Sequence, residues 1–141
     1  MWEMGKRFEI IDHTADVGIA AYGEDLKEAF ANAAYALFSM MLDLEGVGDA
    51  LCRQVEVTAN DRSDLLVAWL NELIYVFEVD NMLFKRFDIG ELNETRLRAR
   101  CYGEKIDPER HKIEVGFKAA TYHMLKIDEG DGFRVQVLFD I

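Results

Sequence analysis

The chain has 141 residues, 50% of them hydrophobic and 30% charged, with one proline, ten glycines and two cysteines. That length suits one domain, the apolar fraction excludes general disorder, and no apolar run approaches the roughly 20 residues that span a bilayer. Sixteen Lys and Arg against 27 Asp and Glu leave a formal net charge of −11, which repels a phosphate backbone and makes RNA or an anionic membrane a poor default partner; a protein or a bound cation fits better.

The opening stretch, Met1 to Arg7, has no apolar core behind a basic start, so no secretory leader is expected. Residues 7–12 alternate and predict a strand. Residues 17–22 predict another, closed by Gly23. Asp25 offers an N-cap with Glu28 three residues on. Leu26, Ala29, Phe30, Ala33, Leu37, Phe38 and Met41 then form an apolar stripe, predicting a helix over 25–42. Residues 44–50, with their glycines and acids, read as a loop. Val55 and Val57 mark a strand over 54–59. Asn60, Asp61 and Ser63 supply caps for a second helix over 62–79. It is apolar around most of its circumference (Leu65, Leu66, Trp69, Leu70, Leu73, Ile74, Val76, Phe77), as expected for a helix buried on more than one side.

After Asn81 the period returns to two. Phe84, Phe87 and Ile89 begin it, and Leu97, Ala99, Cys101 and Tyr102 continue it to Gly103. Pro108 sits in a loop over 107–111 that reads as polar. Residues 113–127 predict one long strand, and Phe133 to Phe139 a last one after the Gly130-Asp131-Gly132 turn. Consecutive C-terminal strands argue for an antiparallel sheet with helices on one side, hence a single α+β domain. Cys52 and Cys101 form no C-x-x-C pair; two half-buried thiols in a reducing cytosol are expected, with no zinc site.

Three places hold polar residues that a fold alone does not require. In Asp12-His13-Thr14-Ala15-Asp16 two carboxylates flank an imidazole and a hydroxyl. Such oxygens suit Ca²⁺, Mg²⁺ or Mn²⁺, but spacing alone favours a tight connection in which Asp and Thr bond the backbone. In Lys118-Ala119-Ala120-Thr121-Tyr122-His123, strand alternation puts Thr121 and His123 on one face and Lys118 on the other unless a bulge intervenes. The plain expectation there is an exposed Lys118 and a hydrogen-bonded core His123. At Asp140-Ile141 the plain expectation is a solvated end; alternatively an apolar last residue could pin the terminus, setting two anions side by side that need a cation or base between them. No G-x-G-x-x-G, P-loop lysine motif or G-x-S-x-G elbow is present.

Taken together these segments resemble the archease family over nearly the whole chain. The resemblance rests on Asp12 to Ile19, on Leu26-Lys27-Glu28-Ala29-Phe30 with Ala33-Ala34, and on Trp69 to Tyr75. It continues through Ala99 to Glu104, Lys118 to His123 and the closing Asp140-Ile141. It implies an α+β fold of sheets enclosing two helices. It also implies a cytoplasmic, non-enzymatic partner of the RtcB-type tRNA-splicing ligase, which uses GTP and Mn²⁺ to guanylate its own histidine and then joins RNA ends. The family member speeds that guanylation and permits repeated turnover. A divalent metal ion, calcium in the isolated protein and Mn²⁺ or Mg²⁺ as alternatives, is implied at Asp16, Asp140 and the Ile141 carboxylate. Lys118 is implied as the functional lysine. Asp12 is not a primary ligand, since the family allows Glu there. Ala120 departs from the usual isoleucine, which touches packing. The competing classes are a chaperone-like module for an RNA-modifying enzyme and a metal-dependent hydrolase with His123 as base.

Overall fold

Two aspartates fix where the helices begin. The Asp25 carboxylate accepts from the Glu28 amide at 2.8 Å and starts α1, Leu26–Met41. Glu28 reaches back to the Glu24 amide, 2.7 Å, one residue before the cap. Asp61 accepts from the Asp64 amide at 2.8 Å and starts α2, Arg62–Asp80. Asn81 stops α2 in the left-handed conformation, φ 57°, which asparagine tolerates, and its N–H bonds the Phe77 carbonyl. The computed structural model describes residues 6–12 and 16–141.

The strands are β1 (Phe8–Asp12), β2 (Val17–Gly23), β3 (Leu51–Thr58), β4 (Met82–Leu92), β5 (Arg96–Lys105), β6 (Ala119–Glu129) and β7 (Phe133–Asp140). They form an antiparallel four-stranded sheet, β1-β2-β7-β6, and an antiparallel three-stranded sheet, β3-β5-β4. The α+β class is as expected, but one sheet with helices on one side is corrected to two sheets with the helices between them. Helix α1 packs on β1, β2 and β7 and also on β4; α2 packs on β6 and on all of β3, β4 and β5. The apolar circumference of α2 is the cause, since a helix apolar on several sides needs cover on several sides. Trp69, Phe30, Phe38, Phe84 and Phe139 are fully buried in one continuous core. The Trp69 indole N–H donates to the Phe30 carbonyl at 3.0 Å, tying α2 to α1. Phe38 meets Phe84 edge-on at 5.8 Å and stacks on Phe87 at 6.0 Å, which joins α1 to β4. No helix among the described residues is long and apolar enough to cross a membrane.

Three expectations need correction. β3 begins at Leu51, so Cys52 is strand-borne and exposed, while Cys101 is fully buried. Burial above all pushes the Cys101 thiol up to about 12, which leaves it unreactive. The long strand over 113–127 is shorter, because β6 starts only at Ala119. Residues 113–118 keep the period-two burial, with Phe117 inside and Glu114, Gly116 and Lys118 outside, but not the ladder. Their alternation records burial rather than pairing; the Glu114 amide bonds the Met41 carbonyl at the end of α1, 2.7 Å.

The loop over 107–111 is not wholly polar surface, for the His111 side chain is almost fully buried. Its Nδ1 accepts from the Asp107 amide at 2.8 Å, which leaves Nε2 to donate to Glu104 at 2.9 Å. Glu104 also accepts from Arg110 at 2.7 Å and from the Gly48 amide at 2.6 Å. This carboxylate therefore ties the segment after α1 and the 107–111 loop to β5. Arg110 first and then the Gly48 amide hold its pKa down to about 2 from 4.5 against the opposing effect of burial, with a lesser pull from His111. A depressed carboxyl contributes stability above its unfolded value and loses it as pH falls through the folded one. Glu104→Gln is expected to cost about 1–2 kcal/mol at neutral pH, after allowance for its partial exposure. In denaturant titrations the gap from wild type is full above pH 4.5 and closes toward pH 2; a pH-independent gap would refute this role.

Candidate functional site

β7 is a central strand, and its last residue, Asp140, stands at one end of the four-stranded sheet. Val17 pairs with Phe139 across β2 and β7, so the register carried one residue further sets Asp16 level with Asp140. On the other side Ala119 pairs with Asp140, and the Lys118 amide donates to the Asp140 carbonyl at 2.9 Å. The alternation that puts Phe139 in the core turns Asp140 outward. Asp16 is half-buried, Asp140 and Lys118 are exposed, and Ile141 is 55% exposed. The expected residues Asp16, Lys118, Asp140 and Ile141 thus come from three strands to one sheet end. Among the described residues, the side chains of Asp16, Asp140 and Lys118 have no hydrogen-bond or ion-pair partner.

His13, Thr14 and Ala15 lie outside the described residues. Asp12 ends β1, exposed and opposite Val17. Among the described residues no group of three or more His, Cys, Asp and Glu is placed to hold a metal ion. Asp16 and Asp140 are level on neighbouring strands at this sheet end, and Asp12 ends the next strand, β1.

The 118–123 segment alternates only as far as Thr121. Thr121 pairs with Leu138, but the next pair is Lys126 with Gln136, so residues 122–125 stand opposite the single residue Val137. Met124 takes φ 54°, unusual for a side-chain-bearing residue. The Gln136 amide holds the bulge by donating to the Met124 carbonyl at 2.9 Å. Thr121 serves it too, donating to the Leu138 carbonyl at 3.1 Å and accepting from the His123 amide at 3.3 Å. The bulge brings three successive residues, Tyr122, His123 and Met124, to the surface. His123 is therefore not the core histidine expected, whereas Lys118 is exposed as expected.

Helix α2 lies along the free edge of β6. Arg62 pairs with Glu129 at 2.9 Å. Asn71 accepts from the Ala120 amide at 2.7 Å and donates to the Ala120 carbonyl at 3.4 Å. Local loss of water, and then the Asp64 carboxylate, raise the Tyr122 phenol pKa. Sequence reasoning gave Asn71 no role; its signal is a short amide set among the apolar residues Trp69, Leu70, Leu73 and Ile74.

Residues 8–141 match the model of the Archease protein family. The chain belongs to the archease family. A protein archease of Methanosarcina mazei is 41% identical over 146 residues, covering 100% of both chains. That of Sulfolobus acidocaldarius is 40% identical over 89% of this chain and 91% of its own. The solution structure of protein 1598 of Methanobacterium thermoautotrophicum is 38% identical, covers 95% of this chain and 98% of that one, and superposes with a TM-score of 0.80. An archease crystal structure from Thermotoga maritima, named there a possible chaperone, is 23% identical over the whole of both chains with a TM-score of 0.62, a likeness of fold. The archease resemblance drawn from the sequence segments is therefore correct, as is the implied arrangement of sheets around two helices.

Proposed function

We propose that the protein is a non-enzymatic cofactor of an RtcB-type tRNA-splicing ligase, promoting the ligase's GTP- and Mn²⁺-dependent guanylation and its multiple turnover in the cytoplasm. The observation that carries this is the gathering of Asp16, Asp140 and Lys118 at one sheet end with no protein partner among the described residues. Two carboxylates level on neighbouring strands repel unless a cation lies between them. Asp16, Asp140 and the Ile141 carboxylate are hard oxygen donors, so they fit Ca²⁺, Mn²⁺ or Mg²⁺ and not a thiolate-seeking metal. Three carboxylates each binding through one oxygen would leave positions open for water or for a group of the partner. A cation there would supply charge stabilisation to a phosphoryl-type transfer at the ligase's active-site mouth. Lys118, exposed beside it, would add a second positive charge toward the nucleotide. The net charge of −11 suits a protein partner better than direct contact with RNA.

The test is guanylation of the ligase from the same source with GTP and Mn²⁺, with and without this protein. Wild type is expected to accelerate guanylation, and Asp16→Ala and Lys118→Ala to lose at least tenfold of that acceleration. No acceleration by wild type would refute the ligase role. A second role, as a chaperone-like binding module, is favoured by the exposed apolar side chains of Tyr122, Met124, Tyr75 and Val79. In that case both variants keep the wild-type effect.

A further inference from the structure

We propose that Asn71 is a positioning residue: from α2 it clamps the free edge of β6 at Ala120 and thereby holds Lys118 against the chain end at Asp140. As it concerns activation of a ligase, this rests on the function proposed above.

β6 is an edge strand, so on one side its backbone has no neighbouring strand. An unpaired edge near a working residue is free to fray or to pair with something else. At Ala120 the gap is filled by a side chain. The Asn71 carboxamide presents an acceptor to the Ala120 N–H at 2.7 Å and a donor to its C=O at 3.4 Å, the two contacts another strand would make. Ala120 itself is buried, so its amide could not turn to water for a replacement. Two residues before it stands Lys118, whose amide is bonded to the Asp140 carbonyl. Beyond Thr121 the β6–β7 ladder is interrupted until Lys126. The segment carrying Lys118 is thus secured by a short ladder, Ala119 to Thr121, and by Asn71. Without the clamp, movement of Lys118 away from Asp140 is resisted by that ladder and, on the other side, by the buried Phe117 ring packed on Phe139, 5.3 Å between centroids. The rest of α2 does not depend on Asn71, because Leu65, Leu66, Trp69, Leu70 and Leu73 bury it.

The test compares wild type with Asn71→Leu, which keeps the shape and removes both bonds, and with Asn71→Asp, which keeps the shorter one. Amide hydrogen exchange is read first and needs no ligase. In Asn71→Leu the Ala120 and Lys118 amides are expected to exchange at least roughly tenfold faster, while Val135 and Val137 of β7 keep their protection. Unchanged protection at Lys118 overturns the proposal, whatever the ligase does. Guanylation is read second. Asn71→Leu is expected to lose about tenfold of the stimulation, Asn71→Asp to retain most of it, and Asn71→Leu added to Lys118→Ala to lose nothing more than Lys118→Ala alone. Full stimulation by Asn71→Leu, or additive losses in the double variant, overturns the proposal. If wild type stimulates nothing, the ligase role fails and hydrogen exchange alone decides whether Asn71 positions Lys118.

Discussion

A short peptide added after Ile141 is expected to abolish ligase stimulation and to weaken Mn²⁺ or Ca²⁺ binding at least tenfold, while the melting temperature moves by no more than a few degrees. The extension converts the Ile141 carboxylate into an amide, which leaves Asp16 and Asp140 as the only charged donors proposed at the sheet end. Tenfold in affinity is about 1.4 kcal/mol, modest for loss of one of three anionic ligands. The fold should not register the change. Ile141 is 55% exposed and lies past the last residue of β7, whereas the residue that anchors the strand, Phe139, is fully buried. The control is Ile141→Ala, which removes the side chain and keeps the carboxylate; it is expected to bind and stimulate as wild type does. Calorimetric titration with each cation, with guanylation assayed in parallel, separates the two. An extended protein that binds and stimulates undiminished removes the chain end from the site. Loss of activity in Ile141→Ala as well would assign the effect to the apolar side chain instead.

What the sequence made visible divides along local and non-local lines. Asp25 and Asp61 declare their helices because a cap bonds an amide three residues away. Polar residues with no task in the fold drew attention to Asp16, Lys118 and Asp140 without any structure. Their meeting depends on two registers, Val17 with Phe139 and Ala119 with Asp140, that join segments more than a hundred residues apart in one case and about twenty in the other. No local pattern encodes that. The same limit hid the second sheet, since β3 finds its partner β5 beyond α2 and β4. Periodicity misled at two points. Residues 113–118 alternate because one side of the chain is covered, with no ladder to show for it. At Tyr122 to Leu125 the alternation reads straight through a bulge whose supports, Gln136 and Thr121, act across the strand pair. His111 looked like loop surface because its partner Glu104 sits in the preceding strand, and Asn71 looked like an ordinary helix residue because its partner is the backbone of β6.

The largest loss of stability from one added methyl group is expected at Gly103. β5 is the middle strand of its sheet, and Gly103 there pairs with Leu51 of β3 and Phe84 of β4. A Cβ at this position would fall inside the Leu83 carbonyl oxygen, 2.7 Å from the Leu83 carbonyl carbon and 2.8 Å from Phe84 Cα. All three are backbone atoms, so no rotamer change relieves the contact. The two strands come this close just before the register slips between Phe84 and Arg86, where β4 bends over β5. β5 cannot retreat, because β3 holds its other edge. Gly103→Ala is therefore expected to cost about 3 kcal/mol or more, against 0.5–1.5 kcal/mol for an ordinary small core change. Gly116→Ala is the matched control, since nothing lies within 4 Å of its added Cβ. It is expected to be neutral or slightly stabilising, through loss of unfolded-state freedom. Urea denaturation of both variants at neutral pH makes the comparison, and a Gly103→Ala protein within about 1 kcal/mol of wild type would show that β4 yields at the bulge. Gly103 precedes Glu104, so the strain falls on the strand that carries the His111 and Arg110 contacts. Between it and the sheet end at Asp140 lie both helices, α1 packed on β4 and β7 and α2 packed on β5 and β6. Ligase stimulation by Gly103→Ala, corrected for its folded fraction, is accordingly expected to match wild type.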